Sequence, residues 1–164
     1  MKVRFFLIMG VAGCGKTTVG RALAGRLGWA FYDADDFHSP ENVAKMSSGI
    51  PLTDQDRAGW LERLHRLIVD CLENHRPAVL ACSALKEAYR QTLLRGTEGV
   101  CLVYLRAGYD LCRQRLAART GHYMPVSLLA SQFATLEEPS DALVVDAGLS
   151  VEEIVEQILF RSAA

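Results

Sequence analysis

The feature that most constrains this chain is the segment GVAGCGKT, residues 10–17, which directly follows an apolar run. Its glycines allow the main chain to turn back with several N–H groups pointing inward, uncrowded by any Cβ. The positive end of the helix expected from Lys16 faces the same loop, so the segment can hold an anion. The pattern G-x-x-x-x-G-K-[ST] between a strand and a helix is typical of a loop that binds nucleotide phosphates. The alternative is a glycine-rich turn without a ligand.

The polar side chains of this loop have distinct expected roles. Lys16 can reach the β- and γ-phosphates of a nucleotide as a mobile positive charge, and Thr17 can offer its hydroxyl to Mg²⁺. The loop residues predicted to bind the nucleotide are Gly10, Val11, Ala12, Gly13, Cys14, Gly15, Lys16, Thr17 and Thr18.

Composition narrows the class of protein. The chain has 164 residues and carries 18 Lys and Arg against 19 Asp and Glu, for a net charge of −1. This balance gives no sign of nucleic-acid binding or of a basic membrane-binding surface. We find no apolar stretch near the ~18 residues of a membrane span. The five cysteines are scattered without a C-x-x-C pair, which favours free thiols and a cytoplasmic location.

The order of elements predicts an α/β fold in a single domain, residues 1–164. Short, continuously apolar runs suit a parallel sheet covered on both faces, and amphipathic segments alternate with them. The strands are expected at 3–9, 30–33, 78–83, 100–106 and 142–147, and the helices at 16–27, 41–48, 54–75, 85–95, 108–119, 126–137 and 150–161. The pairs Thr53/Asp56 and Ser150/Glu153 have the spacing of helix capping boxes.

A cluster of acidic residues follows the second predicted strand, in the segment YDADDFH. Ligands of open α/β sheets bind beyond the carboxyl ends of the strands, so Asp33 is expected beside the glycine-rich loop. We predict that Thr17 and Asp33 serve Mg²⁺ and that Asp35 accepts the proton of an attacking hydroxyl. A capped, solvated acidic loop is the alternative, and we favour it for Asp36.

Cations in the next segment suggest a second anion site. Arg57 falls in the first turn of a long helix, where a positive charge opposes the helix dipole, so it needs an anionic partner. That partner is either Asp54 or a substrate carboxylate held by both arms of the guanidinium. Lys45 is a second candidate for binding the substrate, whereas Trp60 is expected in the core. Lys86 and Arg90, four residues apart, either bind a ligand or are solvated.

The segment CRQRLAARTGHYMP combines arginines with a glycine, which suits a lid over the phosphates at about residues 113–127. Arg119 is the candidate to meet charge on the transferred phosphoryl group, and Arg115 could stack on adenine. His122 is expected to make a polar contact rather than bind a metal, because no second histidine stands at helical spacing. A solvated, arginine-rich helix is the alternative.

Taken together, these segments resemble the small gluconokinases, relatives of shikimate and adenylate kinases. The resemblance covers nearly the whole chain and is carried by GVAGCGKTT, DADDFHSPENVAKMSSGIPLTDQDRAGWL, CSALKEAYR, GHYMPVSLLASQFATLEEP and VVD. It implies a P-loop NTPase three-layer sandwich, with a five-stranded parallel sheet, helices on both faces and a helical lid. Members of this family use ATP and Mg²⁺ to phosphorylate the 6-hydroxyl of D-gluconate in gluconate catabolism, and they are commonly homodimers.

The resemblance also implies an acceptor-binding region at about residues 34–60. Side-chain chemistry then suggests the individual contacts: a fork-like cation for the carboxylate of gluconate, and carboxylate, amide or imidazole groups for its hydroxyls. The residues predicted to bind the substrate are Asp35, His38, Lys45, Arg57, Lys86, His122 and Gln132, and those predicted to act in catalysis are Lys16, Asp35 and Arg119.

Two other functions remain to be weighed. Another small-molecule kinase, for shikimate or a nucleoside monophosphate, is the closer one. A shikimate kinase would have a glycine-rich turn where this chain has CSALK. A nucleoside monophosphate kinase would need several arginines around the acceptor phosphate, whereas the segment 34–60 contains only Lys45 and Arg57 as cations. A nucleotide-binding regulator would need an Asp on the third strand, where this chain offers Cys82 and Ser83 instead.

Overall fold

The computed structural model describes residues 2–119 and 126–163 of the chain. Strands and helices alternate as the sequence predicts. The strands are β1 Phe5–Met9, β2 Ala30–Asp33, β3 Ala78–Ala81, β4 Val100–Arg106 and β5 Leu143–Asp146. The helices are α1 Lys16–Leu27, α2 Pro40–Ser47, α3 Asp54–Glu73, α4 Glu87–Leu94, α5 Tyr109–Ala118, α6 Val126–Thr135 and α7 Val151–Ser162, with a 3-10 turn at Ala34–Phe37.

The five strands form one parallel sheet in the order β2-β3-β1-β4-β5. β1 is central: Phe5 is in register with Ala78 on one side and with Val100 on the other. The predicted α/β class and the five-stranded parallel sheet are therefore confirmed.

Helices cover both faces of the sheet because successive side chains of β1 point to opposite sides. Phe6 and Ile8 pack in the cluster that contains Val19 and Leu23 of α1 and Ile154 of α7. Phe5, Leu7 and Met9 pack in a second cluster with residues of α3 and α4. The result is a layer of helices on each side of the sheet.

Two helix starts follow the predicted capping chemistry. Thr53 and Asp56 form a complete capping box on α3, and Ser150 and Glu153 form another on α7. The start of α4 differs from the prediction, because it begins at Glu87 rather than at residue 85. Lys86, the residue just before the helix, has an extended conformation with φ −101° and ψ 146°, so the helical conformation begins only at Glu87.

The sequence also failed to predict the 3-10 turn at Ala34–Phe37. The Asp33 side chain accepts a hydrogen bond from the Asp35 N–H at 3.0 Å, which folds the chain immediately after β2. A single turn nucleated by one side chain has too short a pattern for hydrophobic periodicity to detect. Asp35 of this turn lines the cavity described below, together with Lys16 of the glycine-rich loop.

Candidate active site

The glycine-rich loop joins β1 to α1 at the carboxyl edge of the sheet. Gly13 and Gly15 have φ of 82° and 99°, which favours glycine at both positions. A Cβ on Gly13 would lie only 2.7 Å from the carbonyl oxygen of Cys112 in α5, so the loop also needs glycine for close packing. The loop therefore has the backbone shape that a phosphate-binding nest requires.

Two side chains of the loop lie in different surroundings. Lys16 lines the cavity described below, and its Nζ lies 3.5 Å from the carbonyl oxygen of Val11. The Cys14 side chain is fully buried, so only its main chain is available to a nucleotide. The Cys14 thiol therefore contributes to the core.

The predicted metal-binding residues lie together. The hydroxyl of Thr17 donates to the carboxylate of Asp33 at 3.0 Å, although the two residues come from α1 and β2. A hydroxyl and a carboxylate are hard oxygen donors, the ligand chemistry that suits Mg²⁺. Their position beside the phosphate loop fits a cation bound together with nucleotide phosphates.

A cavity of about 220 Å³ opens beside the loop. Lys16 connects it to the phosphate-binding nest. Its other polar lining residues are Asp35, His38, Arg57, Ser83, Ser131 and Gln132, and Trp60 and Leu52 contribute apolar walls. A pocket of this composition fits a small polar anion, with one cation for the charge and several groups for hydroxyls.

Arg57 is held firmly at the edge of this cavity. Its Nη1 donates to the carbonyl oxygen of Leu52 at 2.7 Å and to the phenol oxygen of Tyr89 at 3.1 Å. The sequence left two possible anionic partners for Arg57, Asp54 and a substrate carboxylate. In the structure the Asp54 carboxylate accepts hydrogen bonds from Tyr89 at 2.5 Å and from Lys86 at 3.1 Å. Arg57 has no ion pair within the described part of the chain, and its guanidinium donates to the two neutral oxygens of Leu52 and Tyr89.

The ring of His38 is fixed against α3. It stacks on Trp60 with the ring centroids 4.2 Å apart and the planes at 13°. Trp60 is in the core, as predicted, and its indole N–H donates to the carbonyl oxygen of Ala34 at 2.7 Å. Burial, and then the positive charge of Arg57, lower the pKa of His38 to about 4, so the imidazole is neutral near pH 7.

Asp35 lies at the mouth of the cavity. Its Oδ1 is 3.9 Å from the Nε2 atom of His38, too far for a direct hydrogen bond. The surrounding cavity walls raise the pKa of Asp35 by desolvation, Asp33 and Asp36 add to this rise, and Lys16 opposes it. Because 80% of the side chain is accessible to water, solvent limits this rise in the pKa of Asp35.

Three predicted site residues make contacts within the protein. Lys45 does not line the cavity, and its ammonium pairs with the Asp56 carboxylate at 2.8 Å. This hydrogen bond, followed by one from the Thr53 backbone, lowers the pKa of Asp56 to about 2. Lys86 also lies outside the lining and pairs with Asp54. Gln132 does line the cavity, and its Oε1 accepts from the Ala12 N–H of the loop at 2.7 Å.

The predicted arginines of the lid are in different situations. Arg115 donates to the carbonyl oxygens of Cys14 at 2.9 Å and Ala147 at 2.7 Å, which ties α5 to the phosphate loop. Arg119 is exposed at the end of α5. His122 and most of the segment expected to form the lid lie outside the described residues.

Sequence reasoning missed several residues around the cavity. Ser83 and Ser131 line it directly. Tyr89 positions Arg57, and Asn42, buried on α2, contacts His38. Arg90 has a structural role: its side chain is only 3% exposed, and its guanidinium donates to the carbonyl oxygens of Ala84 and Glu137. A single sequence gives little warning of such roles, because they depend on contacts between distant elements.

Comparison with known proteins agrees with this geometry. A family model for shikimate kinase matches residues 12–161. A probable gluconokinase of Mus musculus is 44% identical over 173 residues, covering 93% of this chain and 94% of the relative. A gluconokinase of Gluconobacter oxydans is 48% identical over 141 residues, covering 86% and 79%.

A solved structure extends the similarity to three dimensions. The crystal structure of a gluconokinase from Sinorhizobium meliloti 1021 superimposes with a TM-score of 0.86 at 40% identity, covering 99% of this chain and 94% of that one. Sequence identity at this level over nearly the whole length, together with a shared fold, identifies the family that the motifs predicted. The chain therefore belongs to the gluconokinase family, within the shikimate kinase-type enzymes.

Proposed function

We propose that this enzyme transfers the γ-phosphate of ATP to the 6-hydroxyl of D-gluconate, giving 6-phospho-D-gluconate and ADP. The observation that carries the proposal is the position of Lys16, which belongs to the phosphate loop and also lines the acceptor cavity. A phosphoryl group held by the loop and a hydroxyl held in the cavity would meet at this residue. The relatives described above supply the identity of the acceptor.

Arg57 is the proposed partner of the gluconate carboxylate. It lines the cavity, and within the described residues its guanidinium donates to two neutral oxygens rather than to a carboxylate. A guanidinium can hold a carboxylate through two parallel N–H groups, which would orient the acid as well as bind it. His38 and Gln132 are the proposed partners of its hydroxyls.

Asp35 is the proposed proton acceptor. The oxygen of the 6-hydroxyl forms a bond to the γ-phosphorus while the bond from that phosphorus to the β,γ-bridging oxygen of ATP breaks. The hydroxyl proton passes to the Asp35 carboxylate, and the bond electrons leave with ADP. Because phosphoryl transfer has a loose transition state, positioning of the hydroxyl is the main contribution of Asp35, and the proton moves late.

Positive groups stabilise the phosphoryl oxygens in this proposal. Lys16 and the N–H groups of the loop contact the β- and γ-phosphates, and Arg119 approaches from the lid. Thr17 and Asp33 would hold Mg²⁺, which neutralises phosphate charge when bound. Arg115 already contacts the loop through Cys14, and its planar face is the proposed support for adenine.

The remaining proposals concern further substrate contacts, the lid, the oligomeric state and the cellular location. Lys45, Lys86 and His122 stay proposed contacts of the substrate, with a proposed lid at about residues 113–127 and a proposed acceptor region at about residues 34–60. The family resemblance suggests a single kinase domain and a homodimer. The five free cysteines suit a cytoplasmic enzyme. No helix in the part of the chain that the structure describes is long and apolar enough to cross a membrane.

Identification of the product tests the proposed reaction directly. Phosphorus NMR of a mixture of enzyme, ATP, Mg²⁺ and gluconate should show a phosphate ester split into a triplet by the two protons of a primary carbon. A doublet would place the phosphate on a secondary hydroxyl and contradict the assignment of the 6-position. Asp35→Asn should lower kcat at least about a hundredfold while the protein remains folded. Near-normal turnover would refute the role of Asp35.

A further inference from the structure

Asn42 is a buried polar residue whose side chain is oriented by α3. It is 5% exposed and lies on α2. Its Nδ2 atom donates to the main-chain carbonyl oxygen of Asp56 at 2.8 Å. A carbonyl oxygen only accepts hydrogen bonds, so the amide group that faces it must be the NH₂ and not the oxygen. This contact fixes which way the Asn42 amide points.

The same NH₂ group faces His38. The distance from Asn42 Nδ2 to His38 Nδ1 is 3.4 Å. An amide nitrogen has two hydrogens to donate and accepts none, and one of them is already used on Asp56. The Nδ1 atom of His38 must therefore be the acceptor, which means that it carries no proton. In a neutral imidazole the single proton then resides on Nε2.

The direction of that Nε2–H group follows from the position of the ring. Stacking on Trp60 fixes the plane, and Nε2 is the ring nitrogen nearest to Asp35, at 3.9 Å. His38 lines the acceptor cavity, yet its side chain is only 3% exposed. The imidazole therefore presents a hydrogen-bond donor near the catalytic carboxylate.

The charged groups around His38 favour the neutral ring. Arg57 on α3 carries a positive charge that disfavours a second one on the imidazole, whereas Asp35 in the 3-10 turn lies beyond hydrogen-bond distance. The Asp56 carboxylate of α3 is engaged by Lys45 of α2 and by the Thr53 N–H. The Asn42 amide of α2 is neutral, so none of these groups holds a proton on Nδ1.

We propose that Asn42 is a positioning residue that holds His38 in the Nε2–H tautomer, so that His38 donates a hydrogen bond to an oxygen of the acceptor substrate. In this tautomer the nitrogen nearest to Asp35 already carries a proton, so His38 does not act as the general base. Which substrate oxygen accepts this hydrogen bond rests on the proposed function, but the tautomer of His38 does not.

The tautomer can be measured without any substrate. Long-range ¹H–¹⁵N correlation spectra of protein labelled at histidine, recorded near pH 7.5, distinguish protonated from unprotonated ring nitrogens. The His38 signals are assigned by their loss in His38→Gln. We expect Nε2 to be protonated and Nδ1 unprotonated; the opposite pattern would overturn the proposal, whatever the enzyme phosphorylates.

Two matched variants of His38 test the role of the donor. The amide of His38→Gln can place an N–H near the former Nε2 atom, whereas the shorter His38→Asn places its amide near Nδ1. We expect the KM for gluconate to rise on the order of tenfold in His38→Asn and clearly less in His38→Gln, with little change in the KM for ATP. Equal effects of the two variants would contradict donation from Nε2.

Asn42→Ala tests the positioning role itself. The variant should lose the single tautomer in the NMR spectrum and raise the KM for gluconate about as much as His38→Asn does. In the double variant with His38→Asn, the KM for gluconate should rise little beyond its value in His38→Asn alone, because the two changes remove the same interaction. Fully additive effects, or a pure Nε2–H tautomer in Asn42→Ala, would overturn the proposal.

Discussion

The phenol oxygen of Tyr89 links Arg57 to Asp54. Arg57 Nη1 donates to this oxygen at 3.1 Å, and the Tyr89 hydroxyl donates onward to Asp54 at 2.5 Å. Because the phenol proton is used on Asp54, the oxygen is free to accept from the guanidinium. The arrangement orients the cation of the acceptor cavity through a neutral group, so its charge is not cancelled by an adjacent carboxylate.

Replacing Tyr89 with phenylalanine should weaken binding of the acid without damaging the core. Tyr89 is 6% exposed, and Phe keeps the ring that packs in the cluster with Leu93. Arg57 loses one of its two acceptors, so we expect the KM for gluconate to rise about threefold to tenfold, within the range of one hydrogen bond. An unchanged KM for gluconate would show that Tyr89 does not orient Arg57, and an unchanged KM for ATP serves as the internal control.

Removal of the Lys16 ammonium should cost most of the activity. Lys16→Ala is expected to lower kcat/KM at least about a hundredfold, which corresponds to roughly 3 kcal/mol of transition-state stabilisation. Lys2→Ala removes the same charge from an exposed position and should leave the rate unchanged. A loss of tenfold or less in Lys16→Ala would show that another cation stabilises the phosphoryl group.

His38 should make folding stability depend on pH. Its pKa is about 4 in the folded protein and about 6.5 when unfolded, so between these values only the unfolded state binds the proton. Stability is therefore full above pH 6.5 and falls as the pH drops toward 4, by roughly 3 kcal/mol in total.

Denaturant unfolding of the wild type and of His38→Gln between pH 7.5 and pH 4.5 measures this contribution. The free energy of unfolding should decrease more steeply toward acid in the wild type than in the variant. Parallel curves for the two proteins would contradict the low pKa of His38.

Arg90 should contribute to stability rather than to substrate binding. Its Nη1 donates to the Ala84 carbonyl at 2.7 Å and its Nη2 to the Glu137 carbonyl at 2.8 Å, which joins the start of α4 to the segment after α6. Arg90→Met would leave both acceptors without this partner and should destabilise the fold by about 3 kcal/mol. Thermal unfolding measures the loss, and a KM for gluconate that changes while the melting temperature does not would contradict this role.

The amino-acid sequence was sufficient to predict the structural elements that depend only on neighbouring residues in the chain. Continuous apolar runs predicted the strands, and the capping boxes at Thr53 and Ser150 marked the starts of two helices. The glycine, lysine and threonine pattern identified the loop, because each of those residues is needed for a backbone or charge reason at its own position. The fold and the family that follow from these patterns are confirmed.

What the sequence could not give depends on contacts across the fold. The sequence predicts Lys45 and Lys86 as cations that bind the substrate, but it does not show their ion pairs with Asp56 and Asp54, which form only once α2, α3 and α4 are packed. Arg90 appeared solvated or functional, and its burial likewise arises from tertiary packing. The roles predicted for the individual site residues remain predictions.

The most direct test of this account is the rate of ADP formation from ATP and Mg²⁺ with a panel of acceptors: D-gluconate, 5-ketogluconate, shikimate, AMP and none. We expect rapid ADP formation with D-gluconate and only background rates with shikimate, AMP or no acceptor. A rate with shikimate or AMP that equals or exceeds the rate with gluconate, or a flat panel, would contradict the proposed function.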